Sequence, residues 1–329
     1  MTGSAAEVAE AIRARQSFVL TSHARPDGDA VGSQLALAFA LDALGKTVRL
    51  VDHDPVPVPY RVFPGAGRIE VVPDFTGTTE AVVVLECGDL SRPDVRGLDR
   101  FFVINIDHHL GNTMYGAVNW FDESAAACAE LVGDLIDALG VPWTREIAAH
   151  LYLGIATDTG GFRHGNITAR TFDTCRRIAS TGVEPALLAR QIFDSYSLGR
   201  VRLTGRLLDA MELHHDHRLA VLYYDDQILA SCGATADDTD GLVNLPLGAQ
   251  DVVAVALFKL EAPGRLRVSL RSKGDVDVRS VAQLWGGGGH KNASGCTITA
   301  TLDAAKSRVV EAVGRALPKF EVRSLKFEV

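Results

Sequence analysis

Short apolar runs alternate with longer helix-like segments over the first half of the chain. Four runs have the length and composition of strands buried on both faces of a parallel sheet: 17–22, 47–51, 81–85 and 101–106. After the first run, residues 30–44 are apolar nearly all round and are followed by Gly45, a common residue at helix C-termini. This alternation predicts a doubly wound α/β domain with a mainly parallel sheet.

The pattern changes after Gly161. Before it, helices are predicted at 125–139 and 144–157, and after it three helices follow in succession at 168–180, 185–193 and 198–213. Strands are predicted at 219–224, 252–260, 266–272 and 296–299, with helices at 278–284 and 304–317. Ala262-Pro263-Gly264 predicts a hairpin turn. We therefore expect a catalytic domain over 1–190, a helical linker over 191–214 and a smaller α+β domain over 215–329.

Composition narrows the class of protein. A length of 329 residues favours two domains, and the net charge of −8 argues against passive coating of nucleic acid, although a small anionic substrate at a metal stays possible. Five scattered cysteines form no C-x-x-C pair, which favours reduced thiols. We expect a cytoplasmic protein without a secretory signal or membrane span, because the longest apolar run, Leu35–Leu41, is short.

Potential metal ligands cluster where predicted strands end. Asp107-His108-His109 follows the apolar run Phe101–Ile104, and His23, Asp27 and Asp29 lie between a strand and a helix. Ligands sit at this edge of open α/β sheets. Carboxylates with imidazoles suit Mn²⁺ or Mg²⁺ better than zinc, which favours sulfur and nitrogen. A helix-capping turn and hydrogen-bonded structural histidines are the alternatives.

Two further segments complete the pattern. Glu86 ends the run 81–85, with Asp89 three residues later, and Asp158 lies where a predicted helix meets a glycine-rich loop. Which of Glu86 and Asp89 is the ligand stays open at this point. Glu86 is favoured because it lies at the strand end. Four such segments together predict a two-metal site.

The order of these motifs resembles the DHH phosphoesterase superfamily. Three motifs match: His-x-x-x-Asp-x-Asp from His23, Asp107-His108-His109, and Thr-Asp-Thr-Gly-x-Phe-Arg around Asp158. Gly286–Gly295 resembles the GGGH signature of the associated DHHA1 substrate domain. A chain of this size is most similar to the nano-RNases, also described as oligoribonuclease/pAp phosphatases.

The resemblance implies a role for each matching residue. His23 and Asp27 would hold one metal ion, while Asp29, His108 and Asp158 would hold the other. Glu86 would bridge the two ions, although the family pattern has Asp there, so the metal spacing or the strand position can differ.

Further roles are predicted for residues around this ligand set. His109 is a candidate general acid or phosphate contact, and Asp107 would orient a histidine ring or ligate weakly. Predicted substrate contacts, from backbone N–H groups near the glycines and from side-chain donors, are Arg163, Arg271, Ser272, Gly287, Gly288, Gly289, His290, Asn292 and Ser294.

Two other polar clusters are interpreted as lacking a metal. His214-His215-Asp216-His217 is expected to be a solvated connector before the strand at 219–224. Asp52-His53-Asp54 is interpreted as a loop entry, because prolines follow at 55, 57 and 59.

The primary functional hypothesis is a Mn²⁺-dependent phosphodiesterase that trims short RNA, with pAp phosphatase activity in the same site. The expected partners are short oligonucleotides or nucleotide bisphosphates rather than long duplexes or membranes, and resembling proteins are often homodimers. The alternatives are a cyclic-dinucleotide or linear dinucleotide (pApA/pGpG) phosphodiesterase, an inorganic pyrophosphatase, a processive exonuclease, and a catalytically weak nucleotide-binding regulator.

Overall fold

The computed structural model describes residues 2–318, and within that range it leaves out the side chain of His290. The chain divides into two compact units after Ser195. The domain boundaries expected from the sequence, at 190 and 215, stay a prediction. Among the helices described, none is both long enough and apolar enough to cross a membrane.

The first unit is built on a six-stranded parallel sheet. Its strands are β1 (Ser17–Thr21), β2 (Thr47–Asp52), β3 (Ile69–Val71), β4 (Ala81–Leu85), β5 (Phe102–Asp107) and β6 (Val118–Phe121). They lie in the order β3-β2-β1-β4-β5-β6, and every pair is parallel. The predicted α/β class with a parallel sheet is confirmed, and the strand order reverses between β1 and β4.

Helices and loops cover opposite faces of this sheet. The helices are α1 (Ala5–Arg13), α2 (Gly28–Ala43), α3 (Cys128–Leu139), α4 (Arg145–Asp158), α5 (Ala169–Ser180) and α6 (Pro185–Phe193). Leu20 and Val83 point into the core formed with these helices. The alternate residues Val19 and Val82 pack instead against loop residues such as Leu98. Because neighbouring strand residues face opposite ways, both faces are apolar, as the continuous strand runs require.

Glycines allow α2 and α4 to pack closely beneath the sheet edge. A Cβ on Gly32 would lie 2.4 Å from the carbonyl oxygen of His150, and one on Gly154 would lie 2.4 Å from Oδ1 of Asp29. Helix backbones approach this closely only where a side chain is missing. The packing therefore fixes the first turn of α2, which carries Asp29.

Helix α3 begins later than the sequence predicts. Its predicted start was residue 125, but residues 125–127 lie outside the helix and Ala127 has no side chain able to cap it. Asp29 of α2 supplies the missing cap, because its Oδ2 accepts the Cys128 N–H at 2.6 Å and its Oδ1 accepts the Ala129 N–H at 3.0 Å. A carboxylate at a helix N-terminus satisfies free amides and meets the positive end of the helix dipole.

The second unit is a mixed six-stranded sheet in the order β11-β12-β10-β9-β8-β7. Its elements are α7 (Leu198–Asp209), β7 (Glu212–His214), β8 (Leu219–Tyr224), α8 (Asp226–Cys232), β9 (Ala254–Ala262), β10 (Arg265–Ser272), α9 (Val278–Gln283), β11 (Gly288–His290), β12 (Ala293–Thr299) and α10 (Leu302–Ala316). Only the β8–β9 pair is parallel among the pairings described. Helices α9 and α10 pack on one face, and α7 and α8 pack on the other. The predicted α+β class of this part is confirmed.

One predicted helix was too long. The helix expected over 198–213 ends at Asp209, and Glu212–His214 forms strand β7 against β8. His215, Asp216 and His217 have positive φ angles of 53°, 55° and 66° and make the turn between the two strands. The predicted C-terminal end of this helix is wrong because pairing with β8 outweighs the local helical pattern.

We predict that Gly154→Ala destabilises the first unit. The added methyl group would collide with Oδ1 of Asp29 and with Cβ of Ala129, 2.6 Å away. Overpacking of this kind costs about 1–3 kcal/mol, which urea unfolding of the full chain would measure. Gly205→Ala on α7 is the control, because no atom lies within 4 Å of its Cβ. An equal response of the two variants would contradict the close-packing argument.

Candidate metal centre

The predicted ligands of the first unit converge at the carboxyl edge of the parallel sheet. The loop after β1 carries His23, β4 leads into Glu86, and β5 ends at Asp107 and is followed by His108. The edge between β1 and β4 is the switch point at which the strand order reverses, where open α/β sheets bind ligands. Side chains far apart in sequence therefore share one small volume.

His23 and Asp27 face each other across the loop that enters α2. Nε2 of His23 lies 3.7 Å from Oδ2 of Asp27, while its Nδ1 lies 3.0 Å from the carbonyl oxygen of Ala24. The other oxygen of Asp27 accepts the N–H groups of Asp29 and Ala30 at the start of α2. The helix cap and the potential ligand are thus different oxygens of one carboxylate.

Glu86 is the strand-end acid that enters the centre. It is buried, it follows β4 directly, and its backbone has a φ of 61°, which is uncommon outside glycine. Asp89 is exposed instead, and its Oδ1 accepts the N–H and the hydroxyl of Ser91. The geometry brings Glu86, rather than Asp89, next to the histidines.

His108 lies between Glu86 and Asp158. Its Nε2 is 3.2 Å from Oε1 of Glu86 and 3.6 Å from Oδ2 of Asp158. Its Nδ1 is 3.0 Å from the carbonyl oxygen of Ala125. A hydrogen bond from Nδ1–H to that carbonyl leaves the Nε2 lone pair directed at the acids, which is the arrangement of a metal-binding histidine.

The candidate ligands form two groups that share His108. Glu86, His108 and His109 make one, and Asp29, His108 and Asp158 make the other, with one ligand atom of each residue within 4.8 Å of the others. His23 and Asp27 belong to neither group, but the charge of Asp27 contributes to raising the pKa of Glu86.

Electrostatics show that this cluster needs a positive charge. Burial, followed by the charge of Asp29, raises the pKa of Glu86 well above its ordinary value and that of Asp158 to about 6. Burial alone lowers the pKa of His108, but Glu86, Asp29 and Asp158 outweigh it and raise the pKa to about 11. The acids favour a proton on His108 unless another cation neutralises them.

The donor set fits divalent metal ions. Oε1 of Glu86 and Nε2 of His108 are buried and close, yet each lacks a hydrogen bond among the residues described. Buried polar atoms without partners are costly, and an ion between them would remove the cost. Oxygen ligands with imidazole nitrogen suit Mn²⁺ or Mg²⁺.

His109 belongs to the first ligand group and is also held by an acid outside it. Its Nδ1 is 2.9 Å from Oδ1 of buried Asp107, and its side chain is 46% exposed. Asn112 donates from Nδ2 to Oδ2 of Asp107 at 2.6 Å and to Oδ1 of Asn105 at 2.8 Å. Burial raises the pKa of Asp107, but the His109 and Asn112 bonds outweigh it, so the carboxylate stays ionised.

A neighbouring acid, interpreted from the sequence as part of a loop entry, belongs to the end of a strand. Asp52 ends β2 and is fully buried, and its Oδ1 accepts the Ser22 N–H at 3.0 Å. Burial raises its pKa to about 7. Neither candidate ligand group includes Asp52, and its interpretation as a non-ligand stays a prediction.

The second unit uses several predicted substrate contacts within its own fold. Ser272 donates to the carbonyl oxygen of Val276, and Asn292 donates to Ser272 and to the carbonyls of Gly274 and Val276. Ser294 is buried and donates to the carbonyl oxygen of Val278. These bonds hold the segment between β10 and α9, and a substrate role for the three residues stays a prediction.

The other predicted substrate contacts lie on or near strands of the second unit, apart from Arg163 in the first unit. A Cβ on Gly287 or Gly289 would collide with β12, whereas Gly288 has open space around it. Arg271 follows Leu270 on β10, and the side chain of His290 lies outside the described part of the chain. In the first unit, exposed Arg163 donates from Nε to the carbonyl oxygen of Gly160 at 2.6 Å.

Comparison with known proteins gives matches over both units. A model described as the DHH family, N-terminal domain, matches residues 17–155, and a model of the DHHA1 domain matches residues 224–317. The bifunctional oligoribonuclease and PAP phosphatase NrnA of Thermus thermophilus is 38% identical over 316 residues, covering 95% of this chain and 94% of the relative. The protein of that name from Bacillus subtilis is 28% identical, covering 89% and 92%.

A solved structure agrees with these matches. The crystal structure of an exopolyphosphatase-related protein from Bacteroides fragilis is similar with a TM-score of 0.86 at 25% identity, covering 94% of this chain and 95% of that one. The chain therefore belongs to the DHH family, with a DHHA1 domain in its second unit. The predicted family is confirmed.

We predict that Glu86→Gln weakens binding of divalent metal. Asp89→Asn should not, because the amide oxygen of Asn can still accept the bonds from Ser91 that hold the turn. Changes in groups that merely support ligands cost about 10- to 100-fold in metal affinity, and a direct ligand should cost at least as much. Metal content of the purified variants and calorimetric Mn²⁺ titration would measure this. Matching losses in both variants, or a loss in Asp89→Asn alone, would rule out Glu86 as the strand-end ligand.

Proposed function

We propose that this chain is a two-metal phosphodiesterase that degrades short oligoribonucleotides and also removes a phosphate from 3′-phosphoadenosine 5′-phosphate (pAp). The observation that carries the proposal is the pair of ligand groups sharing His108 at the switch point of the sheet. Support comes from the relatives named bifunctional oligoribonuclease and PAP phosphatase, which match nearly the whole chain.

We propose Mn²⁺ as the resident ion, with Mg²⁺ as the alternative. His23 and Asp27 would hold one ion, Asp29, His108 and Asp158 would hold the other, and Glu86 would contact both. Bound divalent ions lower the pKa of water and offset charge on phosphoryl oxygens. Asp29 would contribute with lone pairs left over from the amides of α3 and the hydroxyl of Ser33.

The residues of the chain supply orientation and a proton. Asp107 would hold His109 through Nδ1, which leaves Nε2 of this half-exposed ring for the substrate. A nucleoside alkoxide is a poor leaving group, so a donor at that position would protonate it as the bond to phosphorus breaks. Asn112 would keep Asp107 in the orientation that serves His109.

The state of the cysteines supports a proposal for the cellular compartment. All five cysteines are free, and four of them are buried. Unpaired thiols are typical of a reducing environment, where short RNA and nucleotide bisphosphates would also be found. We propose the cytoplasm.

A substrate panel tests the activity. We expect the wild-type protein to hydrolyse a labelled dinucleotide and pAp in Mn²⁺, to lose turnover in EDTA, and to regain it when Mn²⁺ is restored. Tri- and pentanucleotides and cyclic dinucleotides complete the panel. Faster turnover of cyclic dinucleotides than of linear ones would contradict the proposal and favour the cyclic-dinucleotide alternative.

Variants connect the activity to the site. His108→Ala should lower kcat by at least about 100-fold, because it removes the nitrogen shared by both ligand groups. His53→Ala is the control, since His53 follows the neighbouring strand β2 and lies 2.9 Å from the carbonyl oxygen of Asp94. Turnover that survives in His108→Ala would refute the metal assignment.

A further inference from the structure

Arg92 lies next to the loop that carries the first ligand pair. Its carbonyl oxygen accepts the N–H of Ala24 at 2.8 Å, and Ala24 directly follows His23. The turn before it is held by Asp89, whose side chain accepts the N–H and hydroxyl of Ser91 and whose carbonyl accepts the N–H of Arg92 at 3.1 Å. The backbone of Arg92 is thereby fixed against the metal-binding loop, and Asp89 gains a structural role.

The side chain of Arg92 differs from other arginines of the first unit. Arg49 pairs with Glu70, Arg68 with Asp42, and Arg96 with Asp74. Arg92 is exposed, and within residues 2–318 it forms no ion pair with a carboxylate. A guanidinium that extends from a fixed backbone and has no acid partner among these residues is available to an anion.

The position of Arg92 brings it to the centre from the second side of the switch point. Arg92 lies on the connection that follows β4 and Glu86, and its backbone bonds to the loop that follows β1 and carries His23. Arg92 therefore stands between the two strand ends at which the strand order reverses.

We propose that Arg92 binds a second, non-scissile phosphate of the substrate. The inference rests on the proposed function, because a 5′-phosphorylated dinucleotide and a nucleoside bisphosphate both carry two phosphates. One phosphate lies at the metal ligands for cleavage, and the other is a terminal monoester close by. The planar guanidinium can bind two oxygens of such a monoester at once, with a geometry that a lysine cannot reproduce. Arg92 thus favours substrates with a terminal phosphate.

The test compares pApA with ApA, which differ only in the 5′-phosphate. In Mn²⁺ the wild type should prefer pApA. Arg92→Ala should lose roughly 10- to 100-fold in kcat/KM on pApA, mainly through KM, and change little on ApA, because one charge-assisted contact is removed. Arg92→Lys should recover part of the loss. Arg96→Ala, on the same connection and paired with Asp74, is the control and should leave both substrates unchanged.

The outcomes separate the inference from the function on which it rests. Equal losses on pApA and ApA, or no loss on either, would overturn the role of Arg92, with Mn²⁺ content confirming that the variant keeps its ions. Equal efficiency of the wild type on the two substrates would overturn it as well. Failure of the wild type to cleave either dinucleotide in Mn²⁺ would instead overturn the proposed function, and the inference would fall with it.

Discussion

The hydrogen bonds from the first amides of α3 to Asp29 are the interaction on which the centre depends. Asp29 is fully buried, and a carboxylate out of water is costly unless donors surround it. The amides of Cys128 and Ala129 provide those donors, and the hydroxyl of Ser33 adds a third. The same contacts join α2 to α3, so the stability of the helical layer and the position of this candidate ligand depend on the same hydrogen bonds.

Several polar groups in this protein serve the fold and the site together. Asp27 caps α2 with one oxygen and faces His23 with the other. His108 is oriented by a backbone carbonyl, and Asp107 is kept ionised by Asn112 and His109. The helix-cap interpretation and the metal-ligand interpretation of Asp27 therefore do not exclude each other, because they concern different oxygen atoms of one carboxylate.

Much of the fold could be predicted from the sequence, because buried parallel strands have a strong signature. The runs that form β1, β4 and β5 were apparent, and the acids at their ends indicated the sheet edge. Helix α1 and strands β3, β6 and β11 had no such signal, since they are short or amphipathic and depend on tertiary contacts. The cap from Asp29 to α3 was also invisible, because it joins residues about a hundred positions apart.

The convergence of acids and histidines at the sheet edge was predictable from the sequence, but their detailed arrangement was not. Whether Glu86 or Asp89 entered the cluster depended on the backbone after β4, where Glu86 takes a left-handed conformation that no pattern indicates. In the second unit, the sequence motif did not indicate which hydrogen bonds its polar residues make within the fold. Its polar residues matched a substrate-binding motif, and the structure engages three of them in holding a loop.

The parallel sheet rests on helices at one face and on irregular connections at the other. Helix-borne Asp29 is held by tight packing that tolerates little variation. The connection from 86 to 101 crosses the loop-covered face, where Val95 and Leu98 are buried and Arg92 is exposed. Exposed positions of this connection can therefore change without disturbing the core, whereas the carboxylate of Asp29 cannot move without disturbing two helices.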